Sequence, residues 1–161
     1  MKCIDIEIAI AKHFGYRTNI IVPQVSWGLG LNHEADLLVV SPAGCVREIE
    51  IKVSASDIKA DLAKRHPHGG AMIRQVYFAV PEELAGNPNI PSYCGILSVH
   101  EMRKSSSVTC VRAAKVNPRA RKLSPREIQH LLHLGCMRLW SLKQKLQLER
   151  VKYREAKLNL L

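Results

Sequence analysis

Residues 35–52 read ADLLVVSPAGCVREIEIK, two apolar stretches on either side of a Ser-Pro-Ala-Gly turn, and their reading decides the fold. Residues 35–40 (ADLLVV) have the length and branching of a buried strand. Ser41-Pro42-Ala43-Gly44 has turn chemistry, and residues 45–53 (CVREIEIKV) form a second strand, so the pair makes a hairpin. Side chains alternate along a strand. Ile49 and Ile51 therefore point one way, and Glu48, Glu50 and Lys52 the other. Pairing of the two strands brings Asp36, at the head of the first, alongside Glu50.

Outward from the hairpin, residues 4–14 (IDIEIAIAKHF) predict a short amphipathic helix stopped by Gly15, and residues 18–25 a strand with an edge or bend at Pro23. Residues 27–32 (WGLGLN) are a loop. After the hairpin, Ser54 to Asp57 has the form of a capping box opening a helix over residues 57–64. The run His66-Pro67-His68-Gly69-Gly70 ends that helix. Strands are predicted at residues 75–80 (QVYFAV) and 94–99, with a possible edge strand at 108–114. A helix, two hairpin strands, a helix and further strands give an α/β class with a mixed sheet flanked by helices. Residues 1–114 read as this core and 115–123 (KVNPRARKL) as a basic linker. Residues 124–161 read as a basic helical extension, opened by a second capping box at Ser124-Pro125-Arg126-Glu127. In it, positions 128, 132, 135, 139, 142, 146, 149, 153, 156 and 160 make a heptad-like stripe, interrupted by Gly135 and Glu149. The stripe packs either on the core or on a twin helix in a homodimer.

The formal net charge is +10, and it is unevenly placed. Residues 1–111 carry 11 basic and 11 acidic side chains, whereas residues 112–161 carry 13 basic against three acidic. A neutral head with a basic tail favours a polyanionic partner, nucleic acid above an acidic membrane. Five scattered cysteines without a CxxC pair argue against a disulfide framework or a structural zinc site. No signal-like leader is read at the N-terminus and no apolar run approaches membrane-spanning length, so a soluble, cytoplasmic, nucleoid-associated chain is expected.

Two carboxylates and a lysine converging at a sheet suit a hard cation. Asp36 and Glu50, with the Ile51 carbonyl, would hold Mg²⁺ or Mn²⁺. The ion polarises a phosphate and acidifies a water, and Lys52 orients or deprotonates that water or offsets developing charge. Glu48 reads as the solvated member of the strand face, and takes the place of Glu50 if the register shifts. Lys64, Arg65 and Arg74 surround the His-Pro-His loop and are candidates for DNA contact, with Gln75 a candidate for orienting substrate. Arg138, Lys143, Lys145 and Arg150 lie on the faces of the C-terminal helix outside the stripe, where they contact phosphates without reading sequence or form a solvated surface.

Asp36 followed after a hairpin by Glu50-Ile51-Lys52 resembles the PD-(D/E)xK motif of restriction-endonuclease-like and junction-resolvase-like nucleases. Residues 34–81, EADLLVVSPAGCVREIEIKVSASDIKADLAK…QVYFAVP, resemble more narrowly the MmcB-like family of proposed DNA-repair nucleases. The resemblance covers about residues 1–104 and leaves the basic helix outside. Ala35 stands where the motif has proline. The resemblance implies a restriction-endonuclease-like α-β-β-β-α-β core and a Mg²⁺- or Mn²⁺-dependent endonuclease. Its substrate would be duplex or branched DNA, in repair, recombination or phage and mobile-element processing. It also implies a further glutamate on the first helix, and Glu7 is the matching position, read equally as a third ligand or an exposed helix residue. Two other classes stay open: a non-catalytic DNA-binding accessory keeping this fold, and an oligomerisation adaptor acting through residues 124–161.

Overall fold

The computed structural model describes residues 1–26, 28–62, 70–102 and 105–158. Helix α1 (Cys3–His13) buries Ile6, Ala9 and Ile10, a spacing that lines one side of a helix. It ends in a Schellman motif, with the Gly15 N–H donating to Lys12 O and the Tyr16 N–H to Ala11 O, both at 3.0 Å. Gly15 carries the positive φ (+69°) that this exit needs.

Strands β1 (Ile20–Val25), β2 (Ala35–Val40) and β3 (Val46–Ile51) are antiparallel neighbours. Pro23 is tolerated because β1 is an edge strand. The β2–β3 pair is the expected hairpin, closed at Val40↔Val46, with Gly44 at φ +77° in the turn. Helix α2 (Ala55–Leu62) begins two residues before the expected start, because Ser54 is its cap: Ser54 Oγ accepts the Asp57 N–H at 3.1 Å. Strand β4 (Ile73–Pro81) then pairs parallel with β3, and β5 (Gly95–Met102) parallel with β4. Strand β6 (Ser105–Arg112) closes the other edge, antiparallel to β5. Strand β5 runs three residues past the expected end at Val99. His100, Glu101 and Met102 lie at the emerging end of a hairpin with β6, where burial no longer imposes an apolar pattern. The six-stranded mixed sheet runs in chain order, β1 to β6.

The sheet is covered on both faces, which is why β2 and β4 read as unbroken apolar runs. Leu37, Val39, Ile49, Ala79 and Leu97 pack under Ile6 and Ile10 of α1. Leu38, Val40, Phe78, Val80 and Ile96 pack on the opposite face with Ile58 of α2 and with Leu131 and Leu134 of α3 (Pro125–Leu158). Helix α3 opens on the expected capping box. The Ser124 N–H donates to Glu127 Oε2 at 2.8 Å, and the Glu127 N–H to Ser124 Oγ at 3.3 Å. Arg121, hydrogen-bonded to Glu127, and then the Ser124 amide hold the Glu127 carboxyl down at about 2. Residues 115–123 are tied to the sheet's end by main-chain bonds, Asn117 N–H to Arg74 O at 2.8 Å and Leu123 N–H to Gly44 O at 3.1 Å, and Leu123 is buried.

Helix α3 docks on β1 by Ile128, at the start of the heptad-like stripe, and by Leu131 and Leu134 beside it. Along that stripe Leu132, Leu139, Leu142, Leu146 and Tyr153 are exposed. Among the described residues no helix is long and apolar enough to cross a membrane.

Candidate functional site

The ladder between β2 and β3 stops at Leu37↔Ile49. One step further, Asp36 replaces a main-chain partner with its own side chain: Asp36 Oδ2 accepts the Ile51 N–H at 2.8 Å. That bond fixes the carboxylate beside the end of β3 while leaving the Asp36 side chain 38% exposed. Glu50, on the same strand end, is almost fully buried. Lys52 follows, with its amide donating to Ala79 O at 3.1 Å, so the chain keeps the line of β3 along β4 for one more residue.

The Lys52 ammonium is the hub of this end of the sheet. It lies 2.8 Å from Glu50 Oε2, 3.1 Å from Asp61 Oδ1 and 4.0 Å from Asp36 Oδ2, and 5.8 Å from the centre of the Phe78 ring. Burial acts to lower its pKa, but Glu50, Asp61 and Asp36 outweigh burial and raise it above the ordinary lysine value. Lys52 is thus a fixed cation at neutral pH. A role as a base that accepts the water's proton does not suit it in this arrangement; a role in holding carboxylates and offsetting negative charge does.

Asp61 was not among the residues singled out in the sequence, although a signal existed. It sits three positions beyond Ile58 on α2, and positions three apart share a helix face. Ile58 is fully buried, so Asp61 points inward with it. His33 was also missed. It lies in the loop before β2, and its Nε2 is 2.6 Å from Glu48 Oε1. Glu48 is 0% exposed, which overturns its reading as a solvated residue. The alternation put Glu48 on the right face, but the cover supplied by other elements was not legible. Glu34 is exposed.

Glu7 is half-buried on α1, and burial followed by the nearby Asp36 hold its carboxyl above the usual range. The same causes, with Glu7 added, push up the Cys3 thiol. Glu7 opens on a cavity of about 330 Å³ between α1, β1 and α3, lined also by Ile4, Pro23, Gln24, Arg138 and Lys145. Arg138 is partly committed to structure, donating to Gln24 O at 2.8 Å. Lys145 is exposed on the cavity wall, Lys143 lies 4.7 Å over the Trp140 ring, and Arg150 continues the basic surface along α3.

Arg74 and Gln75 are not brought to this cluster. Gln75 pairs in register with Arg47, five residues or about 16 Å of strand from Lys52. Its side chain accepts from Arg47 Nε at 3.1 Å and donates to Tyr77 Oη at 3.2 Å, on the face under α1. That is a structural role, and a substrate-orienting one has no geometric basis. Arg74 lines a separate cavity of about 270 Å³ with Tyr93, Lys115 and Asn117. Lys64, Arg65, His66 and His68 lie outside the described residues.

Neither a protein-family model nor a curated protein matches the sequence. Among solved structures the chain is similar to SPO1766, a protein of unknown function from Silicibacter pomeroyi, at 20% identity and a TM-score of 0.62. The match covers 91% of this chain and 92% of that one. At this identity the likeness shows a shared fold and nothing more. The uncovered remainder is shorter than the 34-residue α3, so the shared fold takes in part of that helix as well as the sheet.

The raised Glu7 carboxyl carries a stability consequence. Ionised Glu7 is costlier in the folded chain than in the unfolded one. Its penalty is therefore absent below the ordinary glutamate pKa of about 4.3 and complete once pH has risen through the raised folded value. Glu7→Gln is expected to increase the denaturant midpoint of the metal-free protein at pH 7, with no gain below about pH 4. A lower midpoint at pH 7 would mean that Glu7 holds the fold together rather than straining it.

Proposed function

We propose that the chain is a Mg²⁺- or Mn²⁺-dependent endonuclease that hydrolyses DNA phosphodiester bonds, with Asp36, Glu50 and Lys52 at its centre. The observation that carries this reading is the convergence at one sheet end of Asp36, Glu50 and Asp61 on a single buried lysine. The succession α1-β1-β2-β3-α2-β4 also agrees with the restriction-endonuclease-like core that the motif resemblance implies.

The residues present fit a hard dication. Asp36 is anchored by the Ile51 amide yet partly exposed, Glu50 stands beside it, and the Ile51 carbonyl belongs to the same strand end. These are oxygen donors of the kind Mg²⁺ and Mn²⁺ take. When bound, the ion supplies a polarised phosphate oxygen and a water of lowered pKa. The chain supplies the rest. Lys52, kept protonated by its carboxylate neighbours, presents a preorganised positive charge to a phosphate whose negative charge grows during attack. Asp61 positions Lys52 from α2. Glu7, the third carboxyl near Asp36, is a ligand or proton acceptor at the mouth of the cavity.

DNA is the substrate class that the charge favours. Lys145 shares the cavity with Glu7, and Lys143 and Arg150 extend a cationic surface along a helix about 50 Å long. Contacts of this kind track phosphates without reading bases. The fitting roles are repair, recombination or the processing of phage and mobile-element DNA, on duplex or branched substrates.

The deciding experiment incubates labelled linear, nicked, flapped and four-way DNAs with the protein in Mg²⁺, Mn²⁺ or EDTA. Wild type is expected to cleave in metal only, and Asp36→Asn and Lys52→Ala to lose about 10²-fold or more of the rate. Asp36→Asn keeps an acceptor for the Ile51 amide, so it tests the charge without removing the hydrogen bond. Equal cleavage by all three proteins would contradict the site. DNA binding of equal strength in EDTA, with no cleavage, would instead favour a non-catalytic accessory.

One observation favours a second reading, an adaptor that self-associates through α3. Leu139, Leu142, Leu146 and Tyr153 are 49%, 54%, 51% and 71% exposed along one stripe. Under this reading wild type is a homodimer by light scattering, and Leu142→Glu with Leu146→Glu returns it to a monomer without altering the sheet. A wild-type monomer at high micromolar concentration removes the reading.

A further inference from the structure

Glu48 and Glu50 project from the same face of β3, one pleat repeat or about 7 Å apart along the strand. Both are buried, at 0% and 2% exposure. The loop entering β2 sets His33 over them, with His33 Nε2 at 2.6 Å from Glu48 Oε1 and a side chain only 14% exposed. One ligand atom from each of the three residues lies within 4.8 Å of the other two. Glu48 meets the imidazole and Glu50 meets the Lys52 ammonium, so both carboxylates are held in place around one small space. Buried charges are either paired or coordinate metals, and a dication set between the three ligand atoms engages both carboxylates and the imidazole at once. The donor set also discriminates between ions. Imidazole nitrogen suits the first-row transition dications, whereas Mg²⁺ and Ca²⁺ prefer oxygen throughout.

We infer that His33, Glu48 and Glu50 form a binding site for a first-row transition-metal dication, of which Mn²⁺ and Zn²⁺ are the natural representatives. The site is one pleat deeper in the sheet than the Asp36 carboxylate, and it shares Glu50 with the proposed catalytic cluster. It does not rest on the nuclease reading, because nothing in its argument requires DNA or hydrolysis. Ligands about 2.0–2.2 Å from a metal sit about 3 Å from their neighbours, so the His33–Glu48 bond opens by a few tenths of an ångström on binding. The half-buried loop that carries His33 can supply that movement, while Glu48 and Glu50 remain fixed by the strand.

The test uses the full chain stripped with EDTA and titrated with Mn²⁺ in the presence of excess Mg²⁺, with bound Mn²⁺ counted by electron paramagnetic resonance. One Mn²⁺ should bind despite the Mg²⁺. His33→Gln and Glu48→Gln should each weaken it tenfold or more. Undiminished binding by His33→Gln, or none by wild type, overturns the site. A pulsed measurement on the Mn²⁺-loaded wild type guards against variants that fail to fold. Coupling to an imidazole nitrogen is expected, and its absence overturns the proposal whatever the variants do. Because the readout is metal held rather than DNA cut, the two readings fail separately. A chain that binds Mn²⁺ here and cleaves nothing contradicts only the nuclease proposal. One that cleaves in Mg²⁺ and holds no Mn²⁺ here contradicts only this one.

Discussion

A single buried ammonium organises this protein's chemistry. Lys52 leaves β3 within reach of Glu50, Asp61 and Asp36, three carboxylates drawn from a strand, a helix and the start of a second strand. Each would repel the others in the absence of that charge. Removing one member of a buried pair costs about 3–5 kcal/mol, because the partner charge is left uncompensated. Lys52 therefore has two linked consequences. It ties α2 to the sheet through Asp61, and it gathers three carboxylates at the sheet's end.

The surrounding fold keeps that cluster in register. Lys52 is held by its amide to Ala79 of β4, and Asp36 by the amide of Ile51, the residue before Lys52, so both side chains are fixed at the end of β3. Helix α1 covers one face of the sheet and contributes Glu7 near Asp36. Helix α3 covers β1 on the other face and brings Lys145 to the cavity that Glu7 lines. Under the proposed function, the basic helix would attract a phosphate backbone that the carboxylates alone would repel.

The hairpin and its faces were legible because strand alternation is strict: once residues 45–53 were read as a strand, Glu48, Glu50 and Lys52 had to share a side. The caps at Ser54 and Ser124 were legible because capping is a local matter of one side chain and two amides. What escaped was set by contacts remote in sequence. Asp61 reaches Lys52 only because α2 crosses back over the sheet between parallel strands, and His33 reaches Glu48 only because of the path of the loop into β2. Gln75 was misjudged for the converse reason. Its nearness to a basic segment in the sequence says nothing about β4 running parallel to β3, which puts it at the far end of the sheet beside Arg47. In α3 the heptad spacing is present, yet the helix docks by Ile128 together with the neighbouring positions 131 and 134, because β1 meets it there, and the stripe from Leu139 onward is exposed.

The central claim is that the carboxylates held by Lys52 form a cation site, and the most direct measurement is the titration of the Lys52 side chain itself. In protein carrying labelled lysine, the Lys52 signal should titrate above the ordinary lysine value of about 10.4 without metal, as Glu50, Asp61 and Asp36 require. Adding Mg²⁺ should bring that value down, because the ion and the ammonium then compete for the same oxygens. A Lys52 titration that Mg²⁺ leaves unmoved would contradict the account, and would make the cluster a structural ion network rather than a metal centre.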